Sequence, residues 1–115
     1  MIRRLFGKDV GVLEFARYGD GTTAMQFNTM YGEPLCRATV CLEGLGAPPL
    51  APDQVWIKTW AENEGVLEML EDSGVVVRDP NQPPFEASGN PDALAVMAFL
   101  TPLALAELEF QEWRA

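Results

Sequence analysis

The sequence predicts an α+β domain: an antiparallel sheet of four to six strands, a central acidic helix at about residues 62–73 and a C-terminal helix at about residues 102–113. Three observations point to it. Apolar and polar residues alternate at period two over residues 22–29 and 35–42, as in strands with one face on a core. The turn signals Gly19-Asp20-Gly21 and Gly32-Glu33-Pro34 between the runs suit hairpins rather than crossovers. Beyond residue 61, and again beyond Thr101-Pro102, the apolar period becomes helical.

Taken in order, residues 10–18 alternate weakly and read as the first strand. Residues 22–29 form the second, with Thr23, Met25 and Phe27 on one face. Residues 35–42 form the third: Cys36, Ala38, Val40 and Leu42 share an apolar face, and Arg37 and Thr39 lie on the other. These three make a meander. Residues 44–52 hold Gly, Ala and Pro and read as a loop lying over the body of the domain. Residues 54–60 are the fourth strand, residues 62–73 a helix with Gly74 as its C-terminal cap, and Val75-Val76-Val77 a β-branched strand. Four prolines make residues 79–91 an irregular excursion. Residues 93–100 are a buried strand or the start of a helix. Thr101 fits a helix cap and Pro102 the first helical position. Residues 103–113 then read as helix, although Leu108 and Phe110 alternating with Glu107, Glu109 and Gln111 also suit a strand. No repeat or second boundary interrupts the chain, so residues 1–115 are expected to form a single domain.

Composition narrows the function. Hydrophobic residues make up 48 % of the 115, which excludes a disordered chain. Seventeen Asp and Glu face eight Lys and Arg, a net charge of −9. Such a field repels nucleic-acid phosphates and anionic membranes and attracts basic surfaces. Direct nucleic-acid binding and membrane binding are therefore not expected. There is no histidine, hence no ordinary general base near neutral pH. Cys36 and Cys41, five apart on a strand, point to opposite faces and do not bridge. Two thiols fall short of a structural zinc site, and free thiols suit a reducing cytoplasm. The N-terminal residues lack the apolar stretch of a signal peptide. Residues 93–106 are too short to span a bilayer. No enzyme activity, catalytic residue, cofactor or metal is expected.

The candidate partner-binding residues fall in two groups. On the fourth strand, Trp56, Lys58 and Trp60 share the face opposite Val55 and Ile57. If Val55 and Ile57 face the core, the indoles stand outside around a lysine, as interface anchors do. If the second helix covers that face, both indoles are core. Of the two, Trp60 is expected to be the more exposed, because it lies where strand gives way to helix. On the helix, Glu64, Glu68, Glu71 and Asp72 form an acidic stripe, with Val66, Leu67 and Leu70 turned inward. Their repulsion has no lysine or arginine within the helix to offset it, and a basic partner would supply one. Solvation alone is the plainer account of such a stripe. The spacing matches no calcium loop, and no phosphate-binding glycine pattern occurs.

Several runs together resemble a small uncharacterised family carried by bacterial phages, plasmids and integrative elements. They are Phe6-Gly7-Lys8-Asp9, Ala24-Met25-Gln26-Phe27, the strand from Gly32 to Val40, and Val55-x-Ile57-Lys58-x-Trp60-x-Glu62-Asn63-Glu64-Gly65-Val66-Leu67. The resemblance covers about residues 6–77, and Ala61 stands where a Ser would be expected. It implies a mobile-element setting in a bacterial cytoplasm and no catalytic residue or cofactor. The expected function is an acidic, non-enzymatic inhibitor of a basic, nucleic-acid-handling host defence protein, of anti-CRISPR or anti-restriction type. It would occupy the basic groove of its target. An immunity or antitoxin-like protein neutralising a basic toxin is the alternative, and an accessory protein a third.

Overall fold

The computed structural model describes residues 2–6, 9–87 and 89–114. Gly7 and Lys8, part of the run quoted above, lie outside them. The elements are β1 (Arg3–Phe6), β2 (Asp9–Arg17), β3 (Thr23–Asn28), β4 (Pro34–Arg37), β5 (Gln54–Lys58), a 3-10 turn (Ala61–Asn63), α1 (Val66–Asp72), β6 (Val76–Arg78), β7 (Phe85–Glu86), β8 (Leu94–Leu100) and α2 (Pro102–Arg114). The class is α+β with every strand pair antiparallel, and the strands divide into two four-stranded sheets.

The first sheet runs β1-β2-β3-β4, the expected meander with β1 added at its edge. In the second, β8 is central: β5 lies on one side, and β6 and β7 follow one another along the other. Strand β7 is the part of the proline-rich excursion that returns to the sheet. Residues 93–100 resolve as strand, not helix, and residues 103–113 as helix, not strand.

The predicted third strand, residues 35–42, changes sheets midway. Pro34–Arg37 pairs with β3, but residues 38–40 turn to β5. Ala38 N–H still donates to Met25 O at 2.9 Å, while Ala38 O accepts from Lys58 N–H at 2.9 Å. Val40 N–H donates to Trp56 O at 3.0 Å, and Thr39 bridges Ile57. Where the backbone leaves β3, the buried Thr39 hydroxyl accepts the Met25 N–H at 3.0 Å and pairs with Tyr18 Oη at 2.8 Å. A side chain thus completes a ladder that the backbone abandons.

Apolar burial follows from this arrangement. Val55 and Ile57 of β5 join Leu13, Met25 and Phe27 of the first sheet in one core. Val66, Leu67 and Leu70 of α1 and Ala104 and Leu108 of α2 close it. Trp56, on the other face of β5, joins Leu42, Ala95 and Met97 in a second, smaller core. The loop residues Ala47 and Leu50, and Phe85 of β7, cover that face. Strands β5 and β8 are therefore buried on both faces, which is why both read as nearly continuous apolar runs.

Capping fixes both helices. Gly74 (φ +73°) ends α1: its N–H bonds Glu71 O at 3.0 Å and the Val75 N–H bonds Leu70 O at 2.9 Å, a Schellman pattern. Thr101 Oγ1 accepts from Ala104 N–H at 3.2 Å at the start of α2. At the far end of α2, the Gln111 amide accepts from Phe15 N–H at 2.8 Å and donates to Leu13 O at 3.0 Å. It occupies the stretch of the β2 edge that the four-residue β1 leaves uncovered. No helix of the described residues is long and apolar enough to cross a membrane.

The Thr39 hydroxyl makes a direct prediction. Thr39→Val keeps the shape but leaves the Met25 N–H without an acceptor, and should cost about 1–3 kcal/mol in urea unfolding. Thr39→Ser should recover most of it. Equal stability of the Val variant would mean that the hydroxyl does not complete the ladder.

Candidate functional site

The segment from Lys58 to Gly65 links β5 to α1, and its side chains tie the connection down. The Lys58 ammonium bonds Glu62 Oε1 at 2.7 Å and stands 5.6 Å from the centre of the Trp60 ring. That contact draws the Glu62 carboxyl below its usual range. Asn63 is fully buried, and its side-chain N–H donates to Arg37 O at 2.6 Å, fastening the turn to β4. Gly65 takes φ +86° at the N-cap of α1. Ala61 has φ +56°, a left-handed conformation that only glycine adopts without cost.

This corrects the expected helix over 62–73. Its first turn is instead a 3-10 turn and a left-handed glycine, and α1 begins at Val66. Glu64 therefore precedes the helix rather than sharing its stripe. The physical reason lies in the backbone: the left-handed Gly65 (φ +86°) interrupts the helical path before Val66, after a 3-10 turn whose Asn63 is bonded inward to the β4 carbonyl.

The tryptophans also separate. Trp60 is half-buried, packed at the margin of the second core beside Lys58. Trp56 is 2 % exposed, its ring 6.0 Å from that of Phe85, and it is not available as a partner anchor. The cover is the 44–52 loop and β7, not the second helix.

The acidic surface remains, in altered form. Glu62, Glu64, Glu68 and Asp72 are exposed along the turn and α1. Glu71 is not free: Arg78 of β6 holds it at 2.7 Å and reaches Glu68 at 4.0 Å. The repulsion along α1 is thus partly offset from a neighbouring strand, which spacing within the helix does not reveal. Glu64 and Asp72 have no ion-pair partner among the described residues.

Two features were missed in the sequence. Met30 and Tyr31 stand at the β3–β4 turn, 64 % and 93 % exposed, where turn signals draw attention away from side chains. Asp20, Cys41 and Glu43 meet, their ligand atoms all within 4.8 Å of one another. A thiol and two carboxylates are donors that a borderline divalent cation accepts. No spacing in the sequence signals this trio, because Asp20 and Cys41 are joined only by the fold. Cys36, by contrast, is a hindered thiol whose pKa is raised, first by burial and then by Glu62.

No protein-family model, no curated protein and no solved structure matches this chain.

Two predictions distinguish the residues of this region. Trp56→Ala should cost about 3–5 kcal/mol of stability. Trp60→Ala, only partly buried, should cost about 1–2 kcal/mol. Equal losses in chemical denaturation would contradict the separation of the two indoles. Ala61→Gly should raise stability by up to about 1 kcal/mol, the relief of left-handed strain less the added freedom of the unfolded chain. A lower melting temperature for that variant would argue that Ala61 is unstrained.

Proposed function

We propose that this chain is a non-catalytic binding protein that presents an acidic surface to a basic partner. One observation carries the reading. Glu62, Glu64, Glu68 and Asp72 line one exposed connection and helix in a protein of net charge −9. The cations beside them, Lys58 and Arg78, are already engaged by Glu62 and Glu71. A surface of this kind gains by meeting fixed positive charge, which speeds encounter and selects the partner. The half-buried Trp60, next to the strained Ala61, lies beside it as an apolar contact.

The specific form of the reading is an inhibitor of a defence protein that handles nucleic acid, of anti-CRISPR or anti-restriction type. Such targets carry basic grooves built for a polyanion. Carboxylates held on a turn and helix compete for the same charge. This form rests on the expected resemblance of about residues 6–77 to proteins of mobile elements.

The test compares the protein with its Glu64→Gln/Glu68→Gln/Asp72→Asn variant in affinity capture from bacterial lysates containing defence nucleases. The protein should retain a basic, nucleic-acid-binding target that the triple variant loses. Its measured association with that target should weaken as salt is raised through about 0.15 M, where the Debye length is about 8 Å. Unfolding free energy of the variant should stay within about 0.5 kcal/mol of the parent, since like charges four apart are removed. Identical targets and affinities for both would exclude the acidic surface as the interface.

A further inference from the structure

The second core leaves a space unfilled. Between the 44–52 loop and the outer face of β5 lies a groove of about 380 Å³. None of Glu62, Glu64, Glu68 and Asp72 lines it, so it is separate from the acidic surface above. Its apolar lining comes from Leu42, Ala47, Leu50 and Trp56. Asp20 and Glu43, both exposed, line it toward solvent together with Cys41. Small-molecule sites have this constitution: an apolar concavity of a few hundred Å³ with few, convergent polar groups.

Charge decides what suits it. No lysine or arginine lines the groove, and neither carboxylate has an ion-pair partner among the described residues. Asp20 Oδ1 accepts from the Thr22 N–H at 2.9 Å and from its hydroxyl at 2.6 Å. These bonds hold the carboxyl below its usual range, so it stays charged. They leave Oδ2 turned toward Cys41 Sγ, 3.9 Å away. Asp20, so held, and the exposed Glu43 thus stand within 4.8 Å of one another at one side of the hollow. A bare metal ion would use the carboxylates and the thiol but leave the hollow empty. A cation with an apolar body uses both.

We propose that this groove binds a small organic cation, a primary ammonium on an aromatic or aliphatic body. Its ammonium lies between Asp20 and Glu43, and its body packs on Val40, Ala47 and Leu50, above the buried Leu42 and Trp56. The ammonium donates to both carboxylates, and the body displaces water from apolar wall.

The test titrates the full chain with phenethylammonium chloride, with 2-phenylethanol as the neutral counterpart and zinc chloride as the metal alone. Binding is read by saturation-transfer NMR on the ligand and by tryptophan emission. The amine should saturate at about 1 mM or tighter, with the alcohol at least about tenfold weaker. Asp20→Asn/Glu43→Gln should weaken the amine by about tenfold and leave the alcohol unchanged. Both changes are at exposed side chains, so the fold should survive them. Ala47→Trp, which fills the hollow, should abolish amine binding at unchanged melting temperature. Equal binding of amine and alcohol overturns the proposal, as does an unaffected double variant or no saturation at all. Zinc bound where the amine is not would assign a metal site in its place.

Discussion

The structure depends on the crossing of residues 38–40 from one sheet to the other. Three backbone bonds, with the Thr39 hydroxyl in place of a fourth, join β3 to β5. Among the described residues these are the backbone bonds that link the two sheets, and each sheet has an apolar face to bury. With them, the two sheets turn their apolar faces onto one core, which α1 and α2 then close. The crossing also brings Val40 and Leu42 over Trp56 and so seeds the second core.

The connection from Lys58 to Gly65 is shaped by the same crossing. Asn63 reaches the carbonyl of Arg37, the last residue of β4 before the chain changes sheets. The contact is made from a tight turn with a left-handed Ala61 and Gly65, and α1 starts after that turn and is only seven residues long. A helix this short draws its stability from packing, not from its own hydrogen bonds. Buried Val66, Leu67 and Leu70 on one side leave the carboxylates on the other, and the acidic surface follows from where the apolar residues must go.

The two candidate surfaces share no residue and differ in kind. The α1 face is exposed and charged, suited to a macromolecular partner met through long-range attraction. The groove under the 44–52 loop is concave, apolar and anionic at one side, suited to a small molecule. Each is bounded by a loop or short turn held against β5, a strand that is itself buried on both sides.

Much of the fold was legible in local pattern. Period-two alternation marks the strands, Thr101-Pro102 the start of α2 and Gly74 the end of α1, because these signals act within a few residues of where they occur. Net charge, too, is a property of composition, and the acidic surface could be anticipated from it. What lies across the fold could not. Alternation placed Trp56 and Trp60 on one face, but only packing of the 44–52 loop and Phe85 buries the first and leaves the second half-exposed. Nothing within α1 signals Arg78, which reaches its carboxylates from a different strand. Nothing near Asp20 in the chain signals Cys41 or Glu43, twenty-one and more residues away. Local sequence determines which way a side chain can point, and tertiary structure decides what it meets there, because burial and electrostatics act between neighbours in space.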